Sequence, residues 1–85
     1  MYTIEYDKAA VKTLEKISKR DKISILEAIE ELAKNPRPSG LKNLRGRYNG
    51  YYRIRCGNFR IIYEIHDKQL RILVVKIGDR KDVYD

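Results

Sequence analysis

The sequence predicts an α+β domain: an N-terminal strand, then two antiparallel helices packed on one face of a mostly antiparallel four- to five-stranded sheet. Three observations predict it. Hydrophobic residues recur at helical spacing through residues 10–33 and alternate in the strand manner on either side of that block. A Gly57-Asn58 dipeptide separates two alternating segments, as in a two-residue hairpin turn. The chain has 85 residues, room for one domain (1–85) and not two.

The elements follow in order. "YTIEY", Tyr2 to Tyr6, alternates and reads as a short strand. Ala10, Val11, Leu14 and Ile17 then recur at helical spacing, with Asp7 placed to accept from the first unpaired N–H groups as an N-cap. A second helix is expected from near Asp21, again a plausible N-cap, with Ile25, Leu26, Ile29, Leu32 and Ala33 on one stripe, ending before Asn35-Pro36. After the "PRPSG" break, Leu41 to Arg45 makes a short strand, and Tyr51–Cys56 and Phe59–Ile65 flank the turn. Leu70–Ile77 is the last strand.

Charge is distributed unevenly. Of a formal net charge of +7, residues 1–35 contribute nothing, with seven acids and seven bases, and residues 64–85 nothing, with five of each. The segment 36–63 carries seven bases and no acid. Charge confined to one segment implies a cationic surface, whose usual partner is a polyanion.

The hairpin register locates that surface. With Gly57-Asn58 as the turn, Cys56 faces Phe59, Arg55 faces Arg60, Ile54 faces Ile61 and Tyr52 faces Tyr63. Alternation sends Tyr52, Ile54, Cys56, Phe59, Ile61 and Tyr63 to the core and Arg53, Arg55, Arg60, Ile62 and Glu64 to the other face. Like charges opposite one another destabilise a sheet, and no neighbouring carboxylate relieves Arg55 and Arg60. An anion from outside would. The last strand, paired across an Asp67-Lys68 turn, would set Glu64 against Arg71 and Val75 beside Arg60, and the tail "GDRKDVYD" would leave the sheet at Gly78 with Arg80 and Tyr84 in reach of the cluster.

Other chemistries find little support. Cys56 points to the core, and the single histidine, His66, lies in a turn far from the arginines. The sequence lacks a glycine-rich phosphate loop, a G-x-S-x-G nucleophile motif and a carboxylate cluster for magnesium, so no metal and no small-molecule cofactor is expected. The longest aliphatic run, Ile72–Val75, is too short for a membrane span, and the "MYTIEYDK" opening has no signal-like apolar segment. A reduced, cytoplasmic setting is expected. Arginines and a phenol suit phosphate chemistry on RNA, whose own 2′-OH is the nucleophile, because guanidinium binds phosphate oxygens bidentately and keeps its charge. The same groups equally suit phosphate binding without cleavage.

The ordered set "NLRGRYNGYYRIRCGNFRIIYEI" and "VVKIGDRKDVY" resembles the RelE/ParE superfamily of type II toxins over nearly the whole chain. The resemblance implies a ribosome-dependent mRNA interferase neutralised by an antitoxin that wraps it. It maps functional positions onto Arg45, Arg53, Arg55, Arg60, Arg80 and Tyr84; Arg55, Arg60, Arg80 and Tyr84 are expected to be catalytic, and Arg45 and Arg53, joined by the neighbouring Arg47 of the basic segment, to bind substrate. The expected partners are the ribosome, mRNA and a cognate acidic antitoxin. Arginines 53 and 55 stand where the resemblance has lysines, which moves proton acceptance to Tyr84 or to the phosphate. Two other readings accompany this one: a ParE-like toxin that binds DNA gyrase and cuts nothing, and an inactive RNA-binding or antitoxin-scaffolding domain.

Overall fold

The computed structural model describes residues 1–46 and 49–79. Their elements are β1 (Thr3–Tyr6), α1 (Lys8–Lys16), α2 (Lys19–Lys34), β2 (Lys42–Asn43), β3 (Tyr52–Cys56), β4 (Phe59–His66) and β5 (Arg71–Asp79), with a 3₁₀ turn at Asp67–Gln69. The five strands form one sheet in the order β1-β5-β4-β3-β2. β1 lies parallel to β5, and every other pairing is antiparallel.

Both helices cover one face. Ala10 and Leu14 of α1 and Ile25, Ile29 and Leu32 of α2 meet Ile61, Tyr63, Ile72, Val74 and Ile77 of the sheet in a single core. Each fully buried aliphatic side chain there contributes about 1.5–3 kcal/mol of transfer free energy. Val11 is 40% exposed and does not belong to the stripe.

The caps differ from expectation. Asp7 stands at the first cap position, but its carboxylate makes no capping bond; its backbone N–H goes to the Val74 carbonyl instead, 2.9 Å. The second helix starts at Lys19, because the Ser18 hydroxyl accepts from the Asp21 N–H at 3.1 Å. Asp21 is therefore inside the first turn, where its charge complements the helix dipole.

The β3–β4 register matches the sequence expectation at all four pairs. Gly57 supplies the positive φ of the turn (+59°), as a two-residue hairpin with glycine first requires. The β4–β5 register does not match. The connection spans the 3₁₀ turn plus Leu70, which caps it in the left-handed region (φ +50°), so His66 rather than Glu64 faces Arg71. Glu64 instead lies opposite Leu73, and its carboxylate is 2.8 Å from His66 Nε2, while Arg71 pairs with Glu5 at 2.8 Å.

A bulge between Ile62 and Tyr63 shifts the ladder again, so that Arg60 lies opposite Gly78 and not beside Val75. The cause is legible once the strand is placed. A plain ladder would send Lys76 into the core after Ile72 and Val74; one extra residue turns Lys76 outward and brings Ile77 in, at 1% exposure. The strand also runs on to Asp79, opposite Phe59, instead of leaving the sheet at Gly78.

A polar clasp holds the segment between α2 and β2. Arg37 donates to both oxygens of Asp67 (3.1 and 2.9 Å) and lies over the Tyr52 ring, 5.7 Å from its centroid. The Tyr2 hydroxyl donates to Asp67 at 2.6 Å, and the buried Tyr63 hydroxyl donates to the Pro36 carbonyl at 2.8 Å. This clasp positions the loop that delivers β2 to the sheet.

Candidate functional site

The sheet face away from the helices carries the cationic residues in two rows. Lys42, Arg53, Ile62 and Lys76 lie in register across β2, β3, β4 and β5. One step toward the hairpin turn, Arg55, Arg60 and Gly78 form the next row. None of these seven is a carboxylate, and Gly78 brings no side chain beside Arg60. A cavity of about 280 Å³ lies between the two cross-strand arginines, lined by Arg55, Gly57, Phe59 and Arg60.

The environments of the three arginines differ. Arg55 is exposed and Arg60 half-buried, whereas Arg53 is 2% exposed. Arg53 shares its face with a small apolar cluster of Leu44 and Ile62, flanked by Tyr51 and Val75. Burial, and then the charges of Arg60 and Arg55, lower the Arg53 pKa from its ordinary value. Desolvating a guanidinium beside two others is costly, and an anion among them lowers that cost by Coulomb attraction. The geometry suits a phosphodiester: Arg55 and Arg60 reach it from two strands, with Arg53 behind.

The predicted site residues divide three ways. Arg53, Arg55 and Arg60 are brought together. Arg45 is exposed and follows Leu44, whose N–H bonds the Tyr51 carbonyl; that bond sets Arg45 beyond the start of β3, at the opposite end of the strand from Arg55. Arg47, Arg80 and Tyr84 lie outside the described residues.

Sequence reasoning missed Lys42 and Lys76 as members of the cationic face. Lys42 joins through a two-residue strand whose register depends on the following loop, and Lys76 through the bulge. The alternation of Ile72, Val74 and Ile77 held a usable signal for the second, because its phase breaks between Val74 and Ile77.

Alternative chemistry has little footing among the described residues. Burial, aided by Asp21 and Glu27, pushes the Cys56 thiol up, which disfavours the thiolate. His66 sits at the opposite end of β4 from Arg60, beside Glu64. No group of three or more His, Cys, Asp or Glu suited to a metal occurs among the described residues, and no helix of the described residues is long and apolar enough to cross a membrane.

Comparison with known proteins gives consistent matches. Residues 4–84 match the family model described as ParE toxin of type II toxin–antitoxin system, parDE. A putative RelE-like toxin protein of Escherichia coli is 31% identical over 87 residues, covering 99% of this chain and 90% of that protein. The mRNA interferase toxin RelE of Escherichia coli K12 is 26% identical over 86 residues, covering 98% of this chain and 90% of that protein. Among solved structures, the archaeal RelE–RelB complex from Pyrococcus horikoshii superposes with a TM-score of 0.81 at 28% identity, covering 96% of this chain and 98% of that one.

Proposed function

The chain belongs to the ParE toxin family, within the RelE/ParE superfamily of type II toxins, and from that premise we propose that it is a metal-independent endoribonuclease that cleaves messenger RNA on the ribosome. One observation carries the reading: two arginines facing each other across β3 and β4 flank a cavity, with a third buried beside them. A relative named an mRNA interferase supports the same reaction class.

In this mechanism the 2′-oxygen attacks the adjacent phosphorus and the bond to the 5′-oxygen breaks. The products are a 2′,3′-cyclic phosphate and a free 5′-hydroxyl. Arg55 and Arg60 hold the non-bridging oxygens and stabilise the charge that grows on the phosphorane, while Arg53 and Arg45 bind flanking phosphates, with Arg47. The 2′-hydroxyl proton passes to Tyr84 or to a phosphate oxygen, since Arg53 and Arg55 are poor acceptors. The leaving 5′-oxygen takes up a proton, relayed from the 2′-hydroxyl or from water, while Arg80 neutralises the charge that develops on it, and Tyr84 also stacks on or orients the base. A cognate acidic antitoxin covers the cationic face; the solved structural relative is a complex with RelB.

The test is primer extension on a translated message after brief expression. Cuts within codons, ending in 2′,3′-cyclic or 3′-phosphate, are expected, and Arg80→Ala removes them while ribosome binding survives. The ParE description of the matching family favours a second reading, inhibition of DNA gyrase without RNA cleavage. Full toxicity of an Arg80→Ala, Tyr84→Ala double variant, together with inhibited supercoiling in vitro, would establish that reading instead.

A further inference from the structure

When a phosphodiester bond breaks, the 5′-oxygen departs as an alkoxide and must take up a proton. Arg53, Arg55 and Arg60 are poor sources of it, because a guanidinium does not release its proton in a protein. The same sheet face carries two lysines, Lys42 and Lys76. An ammonium is protonated at neutral pH, as a donor must be, and parts with its proton far more readily than a guanidinium.

Lys76 is placed for that transfer. Arg60 lies level with Gly78, two residues beyond Lys76 on β5. Arg60 and Lys76 are thus diagonal neighbours on one face, about 7–8 Å apart and within reach of long side chains. Gly78 has no side chain to stand between them. β1 pairs with β5 only from Arg71 to Val74, so no described strand flanks β5 at Lys76. Lys76 is half-buried and forms no ion pair with a described residue, whereas Arg71, the other cation of β5, pairs with Glu5 at 2.8 Å. The bulge turns Lys76 to this face, and bulges beside functional sites re-aim side chains in this way. Lys42 is less suited: it stands beside Arg53 on β2 and lines a separate cavity against α2, together with Glu31.

We propose that Lys76 is the general acid of RNA cleavage, donating to the departing 5′-oxygen. The inference rests on the reading of the chain as an endoribonuclease. Arg55 and Arg60 hold the non-bridging oxygens, and the Lys76 ammonium approaches the same phosphate from the β5 side. As the bond from phosphorus to the 5′-oxygen breaks, one Nζ proton moves to that oxygen. This leaves a free 5′-hydroxyl and a neutral amine. Water returns a proton to the amine, and the 2′-hydroxyl proton, released through Tyr84 or a phosphate oxygen, restores the balance. Lys76 is therefore the last member of the relay that ends on the leaving group.

The test compares two messages on programmed ribosomes, each carrying the codon that primer extension shows to be cut. One has the ordinary 5′-oxygen at the scissile bond, and the other a bridging 5′-sulfur, which leaves as a thiolate without needing a proton. Lys76→Arg keeps the charge and removes the donor. In single turnover it is expected to slow the oxygen message at least 100-fold and the sulfur message less than 3-fold, with ribosome affinity unchanged. Lys76→Met shows the same selective loss, and its melting temperature verifies that it is folded. Arg53→Ala, which weakens phosphate binding, slows both messages by the same factor. Equal losses on the two messages for Lys76→Arg and Lys76→Met, or full activity of either variant on the oxygen message, would overturn the proposal and leave the nuclease reading standing. Failure of the unaltered toxin to cut either message would remove the nuclease reading itself, and the role of Lys76 with it.

Discussion

Arg55 and Arg60 face one another across a hydrogen-bonded hairpin, with Gly78 of β5 on the other side of Arg60. Such a like-charge pair costs a few tenths of a kcal/mol up to about 1 kcal/mol in the free protein. Arg55→Thr removes the repulsion and places a good strand former on an exposed position. Its expected effect is a gain of about 0.5 kcal/mol in urea unfolding together with at least a 10-fold loss of cleavage in the primer-extension assay. A variant that loses stability as well as activity would show that the pair supports the fold, contrary to the electrostatic argument. Arg53 behaves differently because it is buried, with Ile62 in register beside it. Its lowered pKa reflects desolvation first and its two arginine neighbours second.

Two elements carry information beyond their own residues. The α2–β2 loop depends on Asp67, whose carboxyl is held at about 2 by hydrogen bonds from Arg37 and then Tyr2. A carboxyl lowered in the folded state contributes stability above its unfolded pKa, near 3.8, and that contribution is lost as the pH falls toward 2. Asp67→Asn should therefore flatten the stability profile between about pH 4 and 2, measured by thermal melts across that range. The second element is the β5 bulge. Deleting Val75 joins Val74 to Lys76 with every flanking side chain still on its own face, so the variant folds. It loses about 1 kcal/mol of packing against Ile62 and Leu44. It also loses the extra local twist of β5 beside the arginine row. Cleavage should fall more than stability, in paired urea and primer-extension measurements.

At the scale of the molecule, the net charge of +7 arises in one segment, and three of its arginines, Arg53, Arg55 and Arg60, lie together on one part of one sheet face. The opposite end of that face is balanced, with Glu64 beside His66 and Glu5 paired with Arg71. RNA and ribosome affinity should therefore fall linearly on a log–log plot against salt, and Arg53→Ala should reduce the slope by about one phosphate contact. Filter binding from low to moderate salt measures it, and an affinity indifferent to salt would remove the face as the docking surface.

The sequence by itself determined the order of elements, the β3–β4 register and the side of the sheet that bears Arg53, Arg55 and Arg60. All three follow from local rules: hydrophobic period, a two-residue turn that admits one pairing, and strict alternation of faces. The tertiary structure decided what no local rule reaches. The Asp67–Leu70 connection moved β5 by two register positions against β4, because a 3₁₀ turn and a left-handed leucine replaced the tight turn. The bulge then realigned Arg60 with Gly78, because burying Ile77 and exposing Lys76 outweighed an unbroken ladder. The burial of Arg53 required the outer-face cluster, which gathers Leu44 after β2, Tyr51 before β3, Ile62 of β4 and Val75 of β5. Each of these is a contact between segments distant in the chain, where packing free energy, rather than local preference, selects the register.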